Sequence, residues 1–290
     1  MGLMIDRGIL INKFKSFSIS ERLIIINVLC FFIPFIINTL FFLFNFSLGN
    51  MSSWIELSPK ISVLLLKPWT LLTYSFFHSG FSHLFWNMLI LYYSGSIFLN
   101  LFRKDTFINI YFLGVIFGGL SFVISYLIFP VFQGSFPSMI GSSAGVMAIL
   151  IFTCTYTPGT EIRLLFFNLK MKYIGILLVL IDLVMIPYGN SGGRISHLGG
   201  AFLGYIYAIN LSRGNDIGLF FEKSWKKILK FLYPSSIKKV YSSDNKSKSQ
   251  KNKQRQNQDQ IDAILDKISN SGYDSLTKSE KEILFRESNK

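Results

Sequence analysis

The chain has 290 residues, of which 50% are apolar and 30 are phenylalanine, and its formal net charge is +13. A soluble domain of this length does not need long unbroken apolar runs, so their recurrence along this chain argues against a soluble protein and indicates a membrane protein. The two cysteines, Cys30 and Cys154, lie in different apolar runs without metal-ligand spacing. We interpret both as small core hydrophobes, which excludes a disulfide scaffold.

Six apolar runs follow one another, and we predict that each becomes a membrane-spanning helix of an all-α bundle. The runs are approximately Leu23–Phe46, Leu84–Phe102, Phe107–Phe129, Ala144–Tyr156, Tyr173–Ile186 and Ile195–Leu211. The first, third and sixth are long enough on their own, since a hydrocarbon core of about 30 Å takes about 20 helical residues. The fourth and fifth are short and need flanking residues to span. The first run is too long for a secretory signal and contains Pro34.

Basic residues are concentrated on one side of the predicted spans. They precede the first span, follow the second, lie between the fourth and fifth, and fill the tail after Arg213, whereas the opposite loops hold only Lys60, Lys67 and Arg194. The positive-inside rule therefore predicts that both termini are cytoplasmic, and lysine-rich flanks of this kind suit a bacterial inner membrane. Contact with anionic lipid explains the net charge, and no nucleic-acid partner is expected.

The loops on the outer side differ in composition. Phe46–Pro68 mixes tryptophan and lysine with apolar residues, which is typical of a segment in the outer interface. Pro130–Gly141 carries no charge and leads to Ser143. Pro187–Arg194 is rich in glycine, and two interpretations are open: the glycines form simple turns, or the loop is a mobile cap over a site.

Composition divides the chain into five segments. They are a cytoplasmic N-terminal segment (1–22), the six-span core (23–212), a basic amphipathic segment (213–241), a disordered linker (242–260) and a small helical module (261–290). Lysines interleave with apolar residues after Arg213, which predicts an amphipathic helix on the inner leaflet. The linker consists mainly of Lys, Gln, Asn and Ser. In the last segment, Thr277 and Glu280 predict a capping box before a short helix.

Polar side chains occur in the apolar runs at three places. His83 and Asn87 lie four residues apart in the second run, hence on one helical face; Ser143 opens the fourth run, and His197 opens the sixth. A charged group at the middle of a bilayer costs roughly 2.5–3.5 kcal/mol, so intramembrane polar residues indicate a functional site. A serine, two histidines and an asparagine can carry out acyl transfer, which makes an enzyme the first hypothesis.

The sequence around Ser143 reads Gly-Ser-Ser-Ala-Gly, from Gly141 to Gly145. It matches G-x-S-x-G, although small residues are also common wherever membrane helices pack closely. Ser143 lies at the predicted start of a helix, where free backbone N–H groups and the positive end of the helix dipole favour a developing negative charge. Gly141 lets the backbone approach without a side chain in the way.

His197 is followed by a G-x-x-x-G pattern, Gly200 and Gly204, which allows close contact between helix backbones. Ala144 and Ala148 clear one face of the fourth run in a similar way. If the two faces pack together, His197 lies beside the serine and can take its hydroxyl proton near neutral pH.

His83 and Asn87 could each donate a hydrogen bond to an oxyanion, together with the backbone N–H of Ser143. The competing interpretation is a metal site formed by His78, His83 and His197, as in a metal transporter. No Asp or Glu accompanies these histidines at metal-site spacing, so no metal is expected, and no other cofactor.

Asp182 lies in the fifth run, and its role is open. The order serine, Asp182, histidine is that of α/β-hydrolases, but their fold needs a strand before the serine, for which the apolar runs leave no room. Asp182 could orient His197 as a third catalytic member, or it could be a polar tie between helices.

These polar positions, in this order and on separate spans, resemble the rhomboid family of intramembrane serine proteases over about residues 20–212. The pattern is His78-x4-His83-x3-Asn87, then Gly141-x-Ser143, then His197-x2-Gly200-x3-Gly204. The resemblance implies a catalytic dyad of Ser143 and His197 in a water-filled cavity that opens to the outer side. It also implies that His83 and Asn87 stabilise the oxyanion and that His78 is a structural histidine of the first loop, which joins the first and second spans.

By the same resemblance, the substrates are single-pass transmembrane proteins that are cleaved near the outer face of the bilayer. A catalytically silent relative that only binds membrane proteins is the alternative. Three positions depart from the family pattern. Ala144 replaces a second glycine after the serine, Thr70 follows Trp69 where many members have arginine, and Met147 replaces an aromatic residue.

Overall fold

The computed structural model describes residues 7–46, 51–164, 167–232 and 244–288. The chain divides into two compact units, Met1–Leu229 and Lys230–Lys290. The elements up to residue 232 are α1 (Arg7–Ser16), α2 (Ile19–Leu43), α3 (Ile61–Leu66), α4 (Thr70–Thr73), α5 (Phe81–Leu101), α6 (Lys104–Ile128), α7 (Ser143–Tyr156), β1 (Glu161–Leu164), β2 (Phe167–Lys170), α8 (Met171–Met185), α9 (Ser191–Ser212) and α10 (Leu219–Leu232). The later elements are α11 (Asp244–Ser271) and α12 (Lys278–Ser288).

Four stretches of the described residues are long and apolar enough to cross a membrane: α2, α5, α6 and the stretch Met171–Tyr188 that begins with α8. This confirms the predicted helical membrane protein. The other two predicted runs are α7 and α9. α7 has 14 residues and is shorter than a bilayer, whereas α9 is long enough but carries serine, glycine, arginine and histidine, which lower its hydropathy.

Lipid explains the surface of α2 and α8. In both stretches only 17% of the most apolar window is buried, so most of their large apolar side chains face outward. A surface of this kind is stable against lipid chains, where the helix satisfies its own backbone hydrogen bonds, and would be costly in water.

α7 is the central helix of the first unit. Every residue from Ala144 to Cys154 is buried, and the helix packs against α5, α6, α8 and α9. A Cβ at Gly200 would lie 2.1 Å from the carbonyl oxygen of Ala144, and one at Gly204 would lie 2.3 Å from that of Ala148. These distances leave no room for a side chain on α9, which confirms the predicted packing of glycine against alanine.

The described residues are mostly helical, as the all-α prediction expects, but they include one short hairpin that the sequence did not predict. β1 and β2 form an antiparallel pair between α7 and α8, with Glu161 opposite Lys170 and Leu164 opposite Phe167. Polar and apolar residues alternate along β1, as in a half-exposed strand. The alternation lasts only four residues, which is too short to be distinguished from a loop in the sequence.

The glycine-rich segment Pro187–Arg194 was predicted to be a loop, but α9 begins inside it, at Ser191. Gly189 and Asn190 have φ of 119° and 50°, and this short left-handed turn ends the preceding segment. A Cβ at Gly192 would lie 2.6 Å from the ring of Phe122, so this glycine serves helix packing. Residues 191–194 of the segment are therefore helical, and only 187–190 remain outside α9.

α10 has the predicted basic amphipathic character. Phe220, Trp225 and Ile228 are exposed and form its apolar face. Near the middle of α10, Lys226 Nζ lies 2.9 Å from Asp105 on α6 and 2.5 Å from Glu222. The hydrogen bond from Lys226 holds the pKa of Glu222 below its ordinary value. These contacts attach α10 to the start of α6.

The second unit contains α11 and α12. Residues 242–260 were predicted to be a disordered linker, of which 242 and 243 lie outside the described residues. The structure places a continuous helix from Asp244 onward, which corrects that prediction. Lysine, glutamine and arginine are good helix formers, and α11 contains neither glycine nor proline. Ile264 and Leu276 are buried between the helices of this unit. The predicted capping box is confirmed: the backbone N–H of Thr277 donates to Glu280 at 2.7 Å, and the backbone N–H of Glu280 donates to the Thr277 hydroxyl at 3.4 Å.

Candidate functional site

A cavity of about 810 Å³ lies at the N-terminal ends of α7 and α9. Its walls come from α5, α6, α9 and the segment before α7. Four of the predicted site residues line it: His83, Gly141, Ser143 and His197. The fold therefore brings residues from three separate apolar runs to one space.

Ser143 is the first residue of α7, and the chain just before it is held by the first loop. Gly141 has φ of 137°, a conformation that glycine tolerates, and its N–H donates to the carbonyl of Tyr74 at 2.9 Å. The hydroxyl of Ser142 lies 3.1 Å from Nε2 of His78. These two contacts set the position of Ser143 at the rim of the cavity.

The ring of His83 lies directly over Gly141. A Cβ at Gly141 would be 2.8 Å from Cε1 and 2.9 Å from Nε2 of His83, and 3.6 Å from Oγ of Ser143. One atom bound near that point would therefore touch both the imidazole and the hydroxyl. The Nδ1 atom of His83 lies 3.1 Å from the hydroxyl of Ser79, which fixes the ring and leaves Nε2 toward the cavity.

The predicted supporting residue His78 lies behind the site. It is buried, and its ring meets that of His83 edge-on at 5.1 Å. Burial, with a smaller effect from the charge of His83, lowers the pKa of His78 to about 3. His78 is therefore a neutral imidazole at physiological pH that connects the first loop to Ser142.

The first loop is itself held in place around Trp69. The indole of Trp69 stacks on Trp54 at 6.1 Å and donates its N–H to the Trp54 carbonyl at 2.9 Å. Thr70, one of the departures from the family pattern, donates its hydroxyl to the backbone carbonyl three residues earlier at 2.7 Å. Leu57 pairs with Met139 through two backbone hydrogen bonds of 3.0 and 2.9 Å. The loop thereby reaches the segment that precedes the serine.

His197 is paired with Asp182 on the neighbouring helix. Its Nδ1 lies 3.0 Å from Oδ2 and 3.2 Å from Oδ1 of Asp182, and Arg194 lies 3.2 Å from Oδ1. The carboxylate of Asp182 is buried and joins α8 to α9. Because Nδ1 is occupied, the free nitrogen of His197 is Nε2.

Two predicted relations are not formed. No hydrogen bond joins the hydroxyl of Ser143 to the ring of His197 among the described residues, although both line the cavity. Asn87 is buried outside the cavity lining, and its amide donates to the carbonyl of His83 at 2.8 Å. In the part of the chain that the structure describes, no group of three or more His, Cys, Asp and Glu side chains is placed to hold a metal ion.

Sequence reasoning did not identify Arg194 or Tyr74 as parts of the site. Arg194 offered a signal, because a charge three residues before His197 is on about the same helical face. Tyr74 offered none, since it acts through its backbone carbonyl. Its hydroxyl donates to the carbonyl of Val115 at 2.7 Å, so the side chain also anchors the loop.

Comparison with known proteins gives two family matches within the chain. Residues 66–214, about half of the chain, match the Rhomboid domain, and residues 241–290 match a family of unknown function (DUF6576). The match to the Rhomboid domain begins after α2, so the first apolar run lies outside it.

One similar protein is "RHOMBOID-like protein 12, mitochondrial" of Arabidopsis thaliana, which is 29% identical over 157 residues. The alignment covers 50% of this chain, which spans about half (47%) of the length of that relative. The matched domain contains the cavity, the serine helix and the histidine helix. On these grounds, the chain belongs to the rhomboid family.

Proposed function

We propose that the protein is an intramembrane serine endopeptidase that cleaves single-pass transmembrane proteins near the outer face of the bilayer. The observation that carries this proposal is the shared cavity, which Ser143, His197 and His83 line together. A nucleophile, a base and an oxyanion donor around one space are the groups that acyl transfer needs.

In this mechanism, Oγ of Ser143 attacks the scissile carbonyl while Nε2 of His197 takes the hydroxyl proton. The protonated imidazole then gives the proton to the leaving amine, and water hydrolyses the acyl-enzyme. Nε2 of His83 and the free N–H groups at the start of α7 face the developing oxyanion. The serine and the base must approach each other when substrate binds, since catalytic hydrogen bonds often tighten only in the complex.

Asn87 is the second predicted oxyanion donor. Its amide carries two N–H groups, one of which is used by the carbonyl of His83. Because Asn87 does not line the cavity, its role in the proposal is smaller than that of His83. It also holds the first turns of α5 in place below the His83 ring.

For the topology, we propose six spans with both termini on the cytoplasmic side. α7 and α9 become the fourth and sixth spans, because α7 is enclosed by other helices and need not match the bilayer thickness by itself. The distribution of Lys and Arg supports the orientation, and it is compatible with a bacterial inner membrane. The proposed substrates then meet the cavity from the outer leaflet.

An apolar groove of about 650 Å³ between α5 and α8 is the proposed path for the substrate. Trp86 and Tyr93 of α5 line one side, and Ile174 and Leu178 of α8 line the other. α8 is mostly exposed, so it can move away at low cost compared with α7. A substrate helix must unwind for cleavage because its peptide bonds are hidden in helical hydrogen bonds. Substrates with small or helix-breaking residues near the cut are therefore expected.

The test is labelling of the purified protein with a fluorescent fluorophosphonate, which reacts with activated serines. Wild type should be labelled, and Ser143→Ala and His197→Ala should lose labelling by about 10³-fold or more. Ser135→Ala is the matched control, because Ser135 lines the same cavity without a place in the mechanism. Equal labelling of wild type and Ser143→Ala would refute catalysis at this serine.

The catalytically silent alternative makes the opposite prediction. A binder of membrane proteins would remain unlabelled but would still retain single-span proteins in a pull-down from membranes. Co-expression of a candidate single-span protein with wild type or with His197→Ala separates the two directly. A fragment that only wild type produces supports the protease.

A further inference from the structure

We infer that Asp182 is a positioning residue that holds His197 with its proton on Nδ1 and its lone pair on Nε2. The inference deepens the proposed function and rests on it, because it assigns a third member to the serine and histidine pair. It also resolves the two interpretations that the sequence left open for Asp182. Asp182 orients the base His197 and also ties α8 to α9.

The hydrogen-bond geometry determines the tautomer. An ionised carboxylate can only accept hydrogen bonds, so the ring nitrogen that faces it must be the one that carries hydrogen. Both oxygens of Asp182 lie within 3.2 Å of Nδ1 of His197. The neutral ring then presents an unprotonated Nε2 to the cavity, which is the form that accepts the Ser143 proton.

Arg194 provides the counter-charge that a buried carboxylate needs. Its Nη1 lies 3.2 Å from Oδ1 of Asp182, and its Nε donates to the carbonyl of Gly189 at 3.2 Å. A buried charge without a partner is costly. With Arg194 in place, Asp182 has an ionic partner even while His197 is neutral.

The placement of Asp182 on α8 also argues for a specific role. The buried residues of α8 are Met171, Gly175 and Asp182, which lie on one side of an otherwise exposed helix. Met171 and Gly175 are small or apolar contacts, as expected for a helix that packs against α7. An acid at the third position is expensive in such a place, and it lies opposite the one histidine of α9.

The consequence for the reaction lies in the transition state. When His197 takes the proton of Ser143, the ring becomes an imidazolium whose charge faces the carboxylate of Asp182. A contact that strengthens only at this stage raises the rate of the chemical step and leaves ground-state binding unchanged. If Asp182 only tied α8 to α9, its loss would instead act on stability.

The kinetic test uses Asp182→Asn, which keeps the shape and can pair with His197 in the wrong tautomer. We expect the maximal rate of fluorophosphonate labelling to fall about 10- to 100-fold, with the half-saturating probe concentration within about twofold of wild type. Arg194→Gln, which removes the other half of the tie, should cause a smaller loss. Asp216→Asn is the matched control, since Asp216 instead accepts the Tyr207 hydroxyl.

A second readout does not depend on activity. The chain has three histidines, so ¹⁵N-labelled imidazole rings give a simple spectrum, and His197→Gln assigns the ring in question. Wild type should show hydrogen on Nδ1 and none on Nε2 of His197. Asp182→Asn should move hydrogen to Nε2, and Arg194→Gln should leave it on Nδ1.

Two results would overturn the inference: hydrogen on Nε2 of His197 in wild type, or equal losses of labelling rate in Asp182→Asn and Arg194→Gln with no change of tautomer. If wild type itself is not labelled, the proposed function fails, and the ring spectrum still decides whether Asp182 sets the tautomer. If Asp182→Asn does not fold, the wild-type spectrum alone decides the tautomer.

Discussion

The contact between α7 and α9 can be tested at Ala148, which glycines of two helices approach from different sides. A Cβ at Gly204 would lie 2.3 Å from the Ala148 carbonyl oxygen, a backbone atom that no substitution removes. A Cβ at Gly114 would lie 2.4 Å from the Ala148 Cβ, a side-chain atom that glycine lacks. A glycine-to-alanine substitution at Gly114 should therefore be rescued by Ala148→Gly, whereas the same substitution at Gly204 should not.

For Gly204→Ala, α9 must retreat by roughly 1 Å to restore an ordinary van der Waals distance. Overpacking of this kind costs about 1–3 kcal/mol, and the upper end applies because the opposing atom is backbone. A displacement of about 1 Å also misplaces His197 against Ser143, which can cost about 100-fold in rate. The loss of stability and the loss of labelling rate should therefore appear together in Gly204→Ala.

The assay is thermal unfolding and fluorophosphonate labelling of purified variants in one detergent. Ala148→Gly should restore much of the stability of Gly114→Ala but none of that of Gly204→Ala. Gly159→Ala is the control, since nothing lies within 4 Å of a Cβ there. Wild-type stability and labelling in Gly204→Ala, or equal rescue of both glycine variants, would refute the close contact.

Three further predictions concern the loop, the acid stability and the tail. Gly141→Ala should lower the labelling rate at least about tenfold, because its φ is 137° and its Cβ would meet the His83 ring; a rate like that of wild type would contradict this. Since the pKa of His78 is about 3 when folded and about 6.5 when unfolded, only the unfolded state gains a proton as pH falls through 6.5. The free energy of unfolding should therefore be about 2 kcal/mol larger at pH 7 than at pH 5, and His78→Gln should remove most of this difference. Thr277→Ala removes the capping box and should speed amide exchange in α12 about fivefold, with no change in α9.

Local patterns in the sequence predicted the helices and four of the residues that line the cavity. Long apolar runs place α2, α5, α6 and α8, because burial in lipid depends on composition over about 20 residues. Spacing of three and four residues predicted the faces of α7 and α9 that pack together. Ser143, His83 and His197 were identified since polar residues are conspicuous in apolar surroundings. None of these predictions needed a contact between distant residues.

The remaining features were not predicted, for separate reasons. Asn87 lies on the expected face of α5, but the rotation of its amide toward the backbone follows from local packing. α9 begins at Ser191, before the predicted apolar run, and its first turn places Gly192 against Phe122 of α6. The short hairpin before α8 has a pattern too brief to separate from a loop.

By itself, the sequence determined which residues had to be membrane-embedded and which polar side chains were unusual among them, because hydrophobicity and helical spacing are local properties. Only the tertiary structure decided that Asp182 and Arg194 converge on His197, and that the first loop holds the chain before Ser143. Those relations join separate helices and loops, and their distances depend on how closely glycine and alanine let the backbones approach.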